Sequence, residues 1–403
     1  MVTTMTTARS IASSGTSTVW PRRRRLFGWP TNAGSSVSPS ASSNTAGNVR
    51  TPLSCISCVM PGAFRQRWSS DRTTIGDTAR RRPMTSRCVW PAVIALLITT
   101  AGCGGDTPSR IDSRTRHWID WGVFLPDDGS PSSNLWTVQE MTGSQPSYVM
   151  RFGSLDDRTP IPELNVISAS GARPIVTLEP WQPGAGVDQP AYALARITAG
   201  DFDAQLDTWA HNLAEWGKPV VLRFAHEMNS DHYPWSVGVN GNTAQDYRAA
   251  WKHVRQRFSL ANAANVSFMW CPDAPGEGSK DLADAYPGAD SVDLLCLDGY
   301  NWGDGAGHTW RNPREIFDGG LSQLRKLDGA HPIVIAETAT VEGPQSGVDK
   351  SRWIADLFDY LSREERVDAV VWFQMDKERD WRLNSSGQSQ TAFKRALADR
   401  RRS

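Results

Sequence analysis

Eight short apolar runs recur along residues 117–403, and a helical pattern follows most of them. The runs are Trp118–Leu125, Tyr148–Gly153, Pro174–Pro180, Pro219–His226, Val266–Asp273, Val292–Asn301, Pro332–Thr338 and Ala369–Gln374. Short apolar runs of this kind read as strands buried on both faces. The clearest helices are Asp203–Trp216, Ala244–Asn262, Pro313–Leu327 and Ser351–Arg363. Within the second, Tyr247, Trp251, Val254 and Phe258 fall at three- to four-residue spacing, as one apolar face demands. Asn242 and Thr243 stand where its N-cap belongs. Strand–helix alternation over about 280 residues predicts an α/β chain folded as a single (β/α)8 TIM barrel. A doubly wound open sheet is the rival architecture, but no Gly-rich phosphate loop follows the first strand.

The chain ahead of this region is of another kind. Residues 1–83 are rich in Ser, Thr, Arg, Gly and Pro without apolar periodicity, and are expected to be disordered or to precede a start at Met84. Cys55 and Cys58 form a CxxC there, but no second pair follows to complete a metal site. From Met84 a basic stretch leads into the apolar run Pro91–Thr100 and then Ala101, Gly102 and Cys103. Such a run is too short to span a bilayer and reads as an export signal. The small residues before Cys103 resemble a bacterial lipoprotein processing site, with Thr100 standing where Leu is preferred. Residues 84–103 are therefore expected to be a signal segment, 104–116 a polar linker, and 117–403 the folded domain. The formal net charge is zero, with no basic stripe, so nucleic acid is not an expected partner.

In a barrel of this class the strand C-termini meet at one mouth. The segment VVLRFAHEMNSDHYPW (residues 220–235) passes from an apolar run into Arg223, His226, Glu227, Asn229, Tyr233 and Trp235. The run PIVIAET (residues 332–338) leads to Glu337. Other strand ends offer Glu179 and Trp181, Trp270 and Asp273, Asp298, Tyr300, Asn301 and Trp302, and Trp372 and Gln374. The chain holds 18 Trp, and indole rings suit the flat C–H faces of pyranoses. Trp181, Trp302 and Trp372 are expected to line a cleft.

Two carboxyl groups flanking a glycosidic bond can hydrolyse it, one protonating the leaving oxygen and the other attacking the anomeric carbon. Glu227 and Glu337 are the pair, and Arg223 and Tyr300 are suited to keep a nearby carboxylate ionised. Glu179 is a rival carboxylate, since an inverting pair that uses it is compatible with spacing alone. His226 is read either as a group that bonds sugar or orients a carboxylate, or as a neutral core histidine. No metal constellation with ligand spacing is evident, and no cofactor is expected. Cys271 and Cys296, at or near the ends of successive strands, could pair in an oxidising compartment, but their levels on the strands look different and two free buried thiols are the expectation.

The segments RFAHEMNSDHYPW, WKHV (residues 251–254), NVSFMWCPD, LDGYNW, PIVIAET and WFQMDKERDWRLNSS together resemble glycoside hydrolase family 26. The resemblance runs from about Trp118 to the C-terminal helix; residues 1–116 have no counterpart. It implies a (β/α)8 barrel with retaining β-mannanase activity, or the related β-glucanase and β-xylanase activities. It implies Glu227 as acid/base at the end of strand four and Glu337 as nucleophile at the end of strand seven. Arg223, His226, Tyr300 and Trp372 match positions around the bond to be cleaved. The sequence departs from the common pattern at Ser230 and His232, where Gly and Trp are frequent.

The chain is thus expected to be an exported, membrane-tethered, monomeric endo-β-glycanase acting on β-1,4-mannan. A β-1,3-1,4-glucanase or xylanase is the alternative, and a non-catalytic carbohydrate-binding barrel the rival of another class. If Cys103 carries the tether, Cys103→Ser should move the protein from the membrane fraction to the medium, as fractionation and immunoblotting would read. Unchanged membrane attachment would remove the lipoprotein reading.

Overall fold

The computed structural model describes residues 115–126, 131–276, 279–305 and 307–400. The expected disorder of residues 1–83, the export signal with Cys103, and all but the end of the linker lie outside the described residues. Among the described residues no helix is long and apolar enough to cross a membrane.

The chain runs β1 (Asp120–Phe124), α1 (Pro131–Thr142), β2 (Tyr148–Ser154), α2 (Ile161–Ala169), β3 (Arg173–Glu179), α3 (Leu194–Thr198), α4 (Asp203–Trp216), β4 (Val220–Phe224), α5 (Ala244–Leu260), β5 (Val266–Trp270), α6 (Leu282–Ala285), β6 (Leu294–Asn301), α7 (Pro313–Leu327), β7 (Ile333–Thr340), α8 (Val348–Leu361), β8 (Val367–Phe373) and α9 (Gly387–Asp399). The strands pair in sequence order, all parallel, and β1 closes on β8. This is the barrel expected from the alternation of elements.

Local chemistry fixes the helix ends. Thr243 caps α5 by accepting from the Asp246 amide at 3.1 Å, and Asp246 accepts back from the Thr243 amide at 2.9 Å. Asn312 and Glu315 make the same reciprocal box at α7, followed by Pro313 in the first turn. Gly217 ends α4 at φ 69°, where a side chain would be strained. Strand β4 stops at Phe224, short of the expected His226, because Ala225 turns to φ 45°. Strand β5 likewise ends at Trp270, ahead of Pro272, and α8 begins at Val348 after Gly347.

The core is two-layered. Inside the barrel, alternate residues such as Ile175, Val221, Met269, Val334 and Val371 fill the centre. Their neighbours, among them Val176, Leu222, Trp270, Ile335 and Trp372, face outward and meet the helices. Helix α7 comes close to β6 through Gly299 and Gly320. A Cβ on Gly299 would sit 2.7 Å from Ile316, and one on Gly320 2.5 Å from Leu297. Gly299 lies between Asp298 and Tyr300, so this close approach anchors two mouth residues.

The same alternation corrects the expectation for Trp372. Ala369 and Val371 point inward, so Trp372 points outward, and it is 1% exposed. Its ring meets Trp353 of α8 and Phe393 of α9 edge-on at 6.3 and 5.2 Å. A strand-end residue reaches the mouth only when its side chain has inward parity. Trp372→Ala should therefore cost about 3–5 kcal/mol of stability, the usual loss for a buried large aromatic, in a denaturant melt. Unchanged stability with lower polysaccharide turnover would return Trp372 to the cleft.

Candidate active site

Arg223 organises the mouth. On β4, Val221 points inward and so, two residues on, does Arg223. Its guanidinium is fully buried. Its Nε donates to Thr177 Oγ1 at 2.9 Å, Nη1 to Asp298 Oδ2 at 2.6 Å, and Nη2 to Glu337 Oε1. Burial alone would lower the Arg223 pKa, but the charges of Asp298 and Glu337 outweigh it and raise it. The guanidinium is therefore a fixed cation shared by two carboxyl groups, those of Asp298 and Glu337.

Strict alternation would not bring Glu337 here. Val334 and Ala336 of β7 face the barrel interior, so the next residue should turn outward. An irregularity intervenes. Leu297 of β6 pairs with Ile335 but Asp298 pairs with Glu337, and on the other side Ile335 pairs with Val370 but Thr338 with Trp372. The extra residue in β7 is a bulge, and it sets Glu337 beside Asp298 within reach of one arginine. Tyr300 Oη then donates to Glu337 Oε2 at 2.6 Å, so each Glu337 oxygen has a donor.

Glu227 arrives by a strained path. Ala225 and Glu227 have φ 45° and 51°, in the left-handed region that side chains avoid. Tyr247 Oη on Ala225 O (3.1 Å), Trp235 Nε1 on His226 O (2.6 Å) and the Glu227 amide on Cys271 O (2.7 Å) hold that turn. Burial raises the Glu227 pKa well above the usual carboxylate range, and the charges of Asp273, Asp298 and Glu337 add to it. Glu227 is thus held as an acid while Glu337 meets two donors.

Two further carboxyls share the mouth. Glu179, 7% exposed, accepts from Trp181 Nε1 at 3.1 Å; burial pushes its pKa up to about 8. Burial also raises Asp273, to about 7, and its backbone exchanges bonds with the Asn229 side chain. Burial raises Asp298 as well, against the lowering pull of Arg223.

His226 is fully buried, and burial, with the charges of Arg223 and Lys377, lowers its pKa well below the usual value. It is therefore neutral at physiological pH. Its Nε2 lies 3.2 Å from Tyr233 Oη, so it sets the tyrosine. Aromatics form two clusters. Tyr233 stacks on Trp235 at 4.5 Å, with Trp181 edge-on to both. In the second, Trp302 and Tyr300 meet Trp381 at 4.9 and 5.1 Å, and His308 stacks on Trp302 at 4.9 Å.

Of the expected site residues, Glu227, Glu337, Arg223, His226, Tyr300, Trp302, Trp181 and Glu179 gather at this mouth; Trp372 does not. It packs against α8 and α9 and donates its Nε1 to Trp381 O at 3.0 Å. Trp381, which follows β8 in a loop, packs directly on Trp302 and Tyr300 and, at 1% exposed, backs them rather than lining the cleft. Only its presence in the motif WFQMDKERDWRLNSS signals it in sequence. Thr177 was also missed, although its inward parity on β3 would have found it. Among the described residues no group of three or more His, Cys, Asp or Glu could hold a metal ion.

Cys271 and Cys296 are not free thiols: they form a disulfide with a Cα–Cα distance of 4.6 Å. The parallel register pairs Met269 with Leu294 and Trp270 with Leu295, which brings the next residues on each strand opposite one another. Sequence alone does not give that stagger.

Residues 174–334 match the model of Glycosyl hydrolase family 26. Endoglucanase H of Acetivibrio thermocellus is 32% identical over 286 residues, covering 68% of this chain and 30% of that protein. Beta-1,3-xylanase TXYA of a Vibrio species is 34% identical over 206 residues, covering 46% of this chain and 42% of that protein. The chain thus spans less than half the length of these curated relatives. The catalytic domain of the endo-beta-1,4-mannanase of Bacillus sp. JAMB-750 has the same fold. It aligns at TM-score 0.55 and 18% identity, covering 70% of this chain and 86% of that one.

The raised pKa of Glu179 sets a pH dependence of stability. A carboxyl that titrates near 4.5 unfolded and about 8 folded keeps its proton in the fold after the unfolded chain has lost it. Stability is then fully present below pH 4.5 and falls as pH rises through about 8. Glu179→Gln removes that loss. The variant should gain on the wild type in melting temperature between pH 5 and pH 8.5; a constant difference across that range would mean that Glu179 is ionised in the fold.

Proposed function

Because the chain belongs to glycoside hydrolase family 26, we propose that it is a retaining endo-β-glycanase that cleaves β-linked polysaccharide by double displacement. One observation carries the reading: two carboxyls of one mouth lie in opposed environments. Glu337 receives Arg223 and Tyr300 on its two oxygens, while Glu227 is buried with its pKa raised.

In the first step Glu227 gives its proton to the glycosidic oxygen as a Glu337 oxygen attacks the anomeric carbon and the C–O bond breaks. Each Glu337 oxygen keeps a lone pair beyond the donor it accepts from. Glu227, now ionised, takes a proton from water, whose oxygen displaces Glu337 and restores the starting state. Trp181 and Tyr233 on one side, and Trp302 and Tyr300 on the other, supply faces for sugar rings. Neutral His226 holds Tyr233. A protonated Glu179 offers a further hydroxyl to the substrate.

The substrate proposed first is β-1,4-mannan. A second reading has an observation in its favour: the relative matched over most of this chain is named Endoglucanase H, so β-glucan follows closely. Export belongs to the same proposal, since a polysaccharide is met outside the cell.

Turnover of mannan, mixed-linkage glucan and xylan by purified protein decides among these substrates, and silence on all three would end the hydrolase reading. Glu337→Ala should abolish turnover of every substrate. Glu227→Ala should spare aryl glycosides, whose good leaving groups need little protonation. Azide should rescue that variant and yield a β-glycosyl azide. An α-azide would show direct displacement without a glycosyl–Glu337 intermediate and overturn the assignment.

A further inference from the structure

The linked sulfurs of Cys271 and Cys296 lie under the catalytic ion pairs. Both residues are fully buried and belong to the barrel interior. Cys271 Sγ is 3.6 Å from Arg223 Nη1 and 3.2 Å from Asp298 Oδ1. The carbonyl of Cys271 accepts the Glu227 amide at 2.7 Å. Cys271 therefore touches the support of both glutamates, and no step proposed above uses its sulfur.

We propose that Cys271 and Cys296 are positioning residues whose thiol–disulfide state sets how Arg223 divides its charge between Asp298 and Glu337. This rests on the roles given to Glu227 and Glu337. A disulfide sulfur has no proton to donate, so in the linked state Asp298 Oδ1 faces sulfur without gaining a hydrogen bond. A free Cys271 thiol at that position has a proton, and Asp298 Oδ1 is its acceptor. That bond favours the Asp298 carboxylate, which then competes with Glu337 for the one guanidinium. Linking the sulfurs withdraws the donor and leaves more of the Arg223 charge to Glu337. The charged and titratable groups facing Asp298 are Arg223 from β4, Glu227 beyond it, Asp273 beyond β5, Tyr300 from β6 and Glu337 from β7. Among these five, Arg223 is the cation.

The chemistry balances with an outside disulfide as oxidant. Two thiols lose two protons and two electrons and join; the oxidant's sulfurs take them and part as two thiols. Because both residues are buried, the state is set while the chain is still open.

The test uses the full chain, unfolded and refolded either with oxidised glutathione or with dithiothreitol. Alkylation of residual thiols followed by peptide mapping reads the 271–296 link. The linked form should have a kcat severalfold higher than the unlinked form, with KM little changed. The acid limb of the kcat–pH profile should lie at higher pH in the unlinked form, where Glu337 holds less of Arg223. Cys296→Ala keeps the Cys271 thiol and should behave as the unlinked form under either reagent. Cys271→Ala removes the donor and should keep the acid limb of the linked form. These two variants, produced in cells, carry the comparison if refolding fails. Free alkylation of both cysteines after oxidative refolding would overturn the proposal. So would equal kcat and acid limb in the two forms, or identical limbs in the two variants. If both forms are active yet indistinguishable, only this inference falls; if neither hydrolyses any of the three glycans, the proposed function falls and takes it along.

Discussion

A single buried guanidinium governs the mouth of this barrel. Arg223 has no exposure to water, so its charge must be met by groups the fold brings to it. Thr177 from β3, Asp298 from β6 and Glu337 from β7 each supply one oxygen. Removing one partner from such a buried set typically costs about 3–5 kcal/mol, because the remaining charge is left uncompensated. The same arrangement therefore fixes the orientation of the Glu337 carboxyl at the mouth.

The backbone is irregular where the chemistry is proposed to occur and regular elsewhere. The extra residue in β7 turns Glu337 toward the interior, and the left-handed turns at Ala225 and Glu227 send the second carboxyl to the same place. Each conformation costs energy by itself, of order 1–3 kcal/mol for a strained residue. Bonds from Tyr247, Trp235 and the carbonyl of Cys271 offset that cost, and they come from α5, the β4–α5 loop and the end of β5. The glutamates are thus held by surrounding structure rather than by their own local preferences.

Burial does opposite things to the ionisable groups of the mouth. It lowers His226 and raises Glu179, Glu227, Asp273 and Asp298, so most of these groups shed their charge. Glu337 sits apart as the carboxylate with both a cation and a phenol directed at it. A mouth crowded with five carboxyls and one buried arginine would repel itself if all were ionised. Burial that discharges most of them eases that repulsion and, on the proposed function, the unequal surroundings of Glu227 and Glu337 divide the labour of bond cleavage.

The sequence by itself determined the eight strands, the capped helices and the residue types at the strand ends. Those features depend on period and on capping chemistry within a few residues of each other. The proposed catalytic pair was legible for the same reason, because Glu227 and Glu337 each follow an apolar run. Parity along each strand is legible too, and it turns Trp372 outward and Thr177 inward. Only the tertiary structure decided the rest. The bulge that puts Glu337 opposite Asp298 is a property of three strands together, not of β7 alone. The stagger that joins Cys271 to Cys296 comes from closing the barrel. Trp381 reaches Tyr300 and Trp302 because a loop after β8 folds back onto them, and no local periodicity encodes that return.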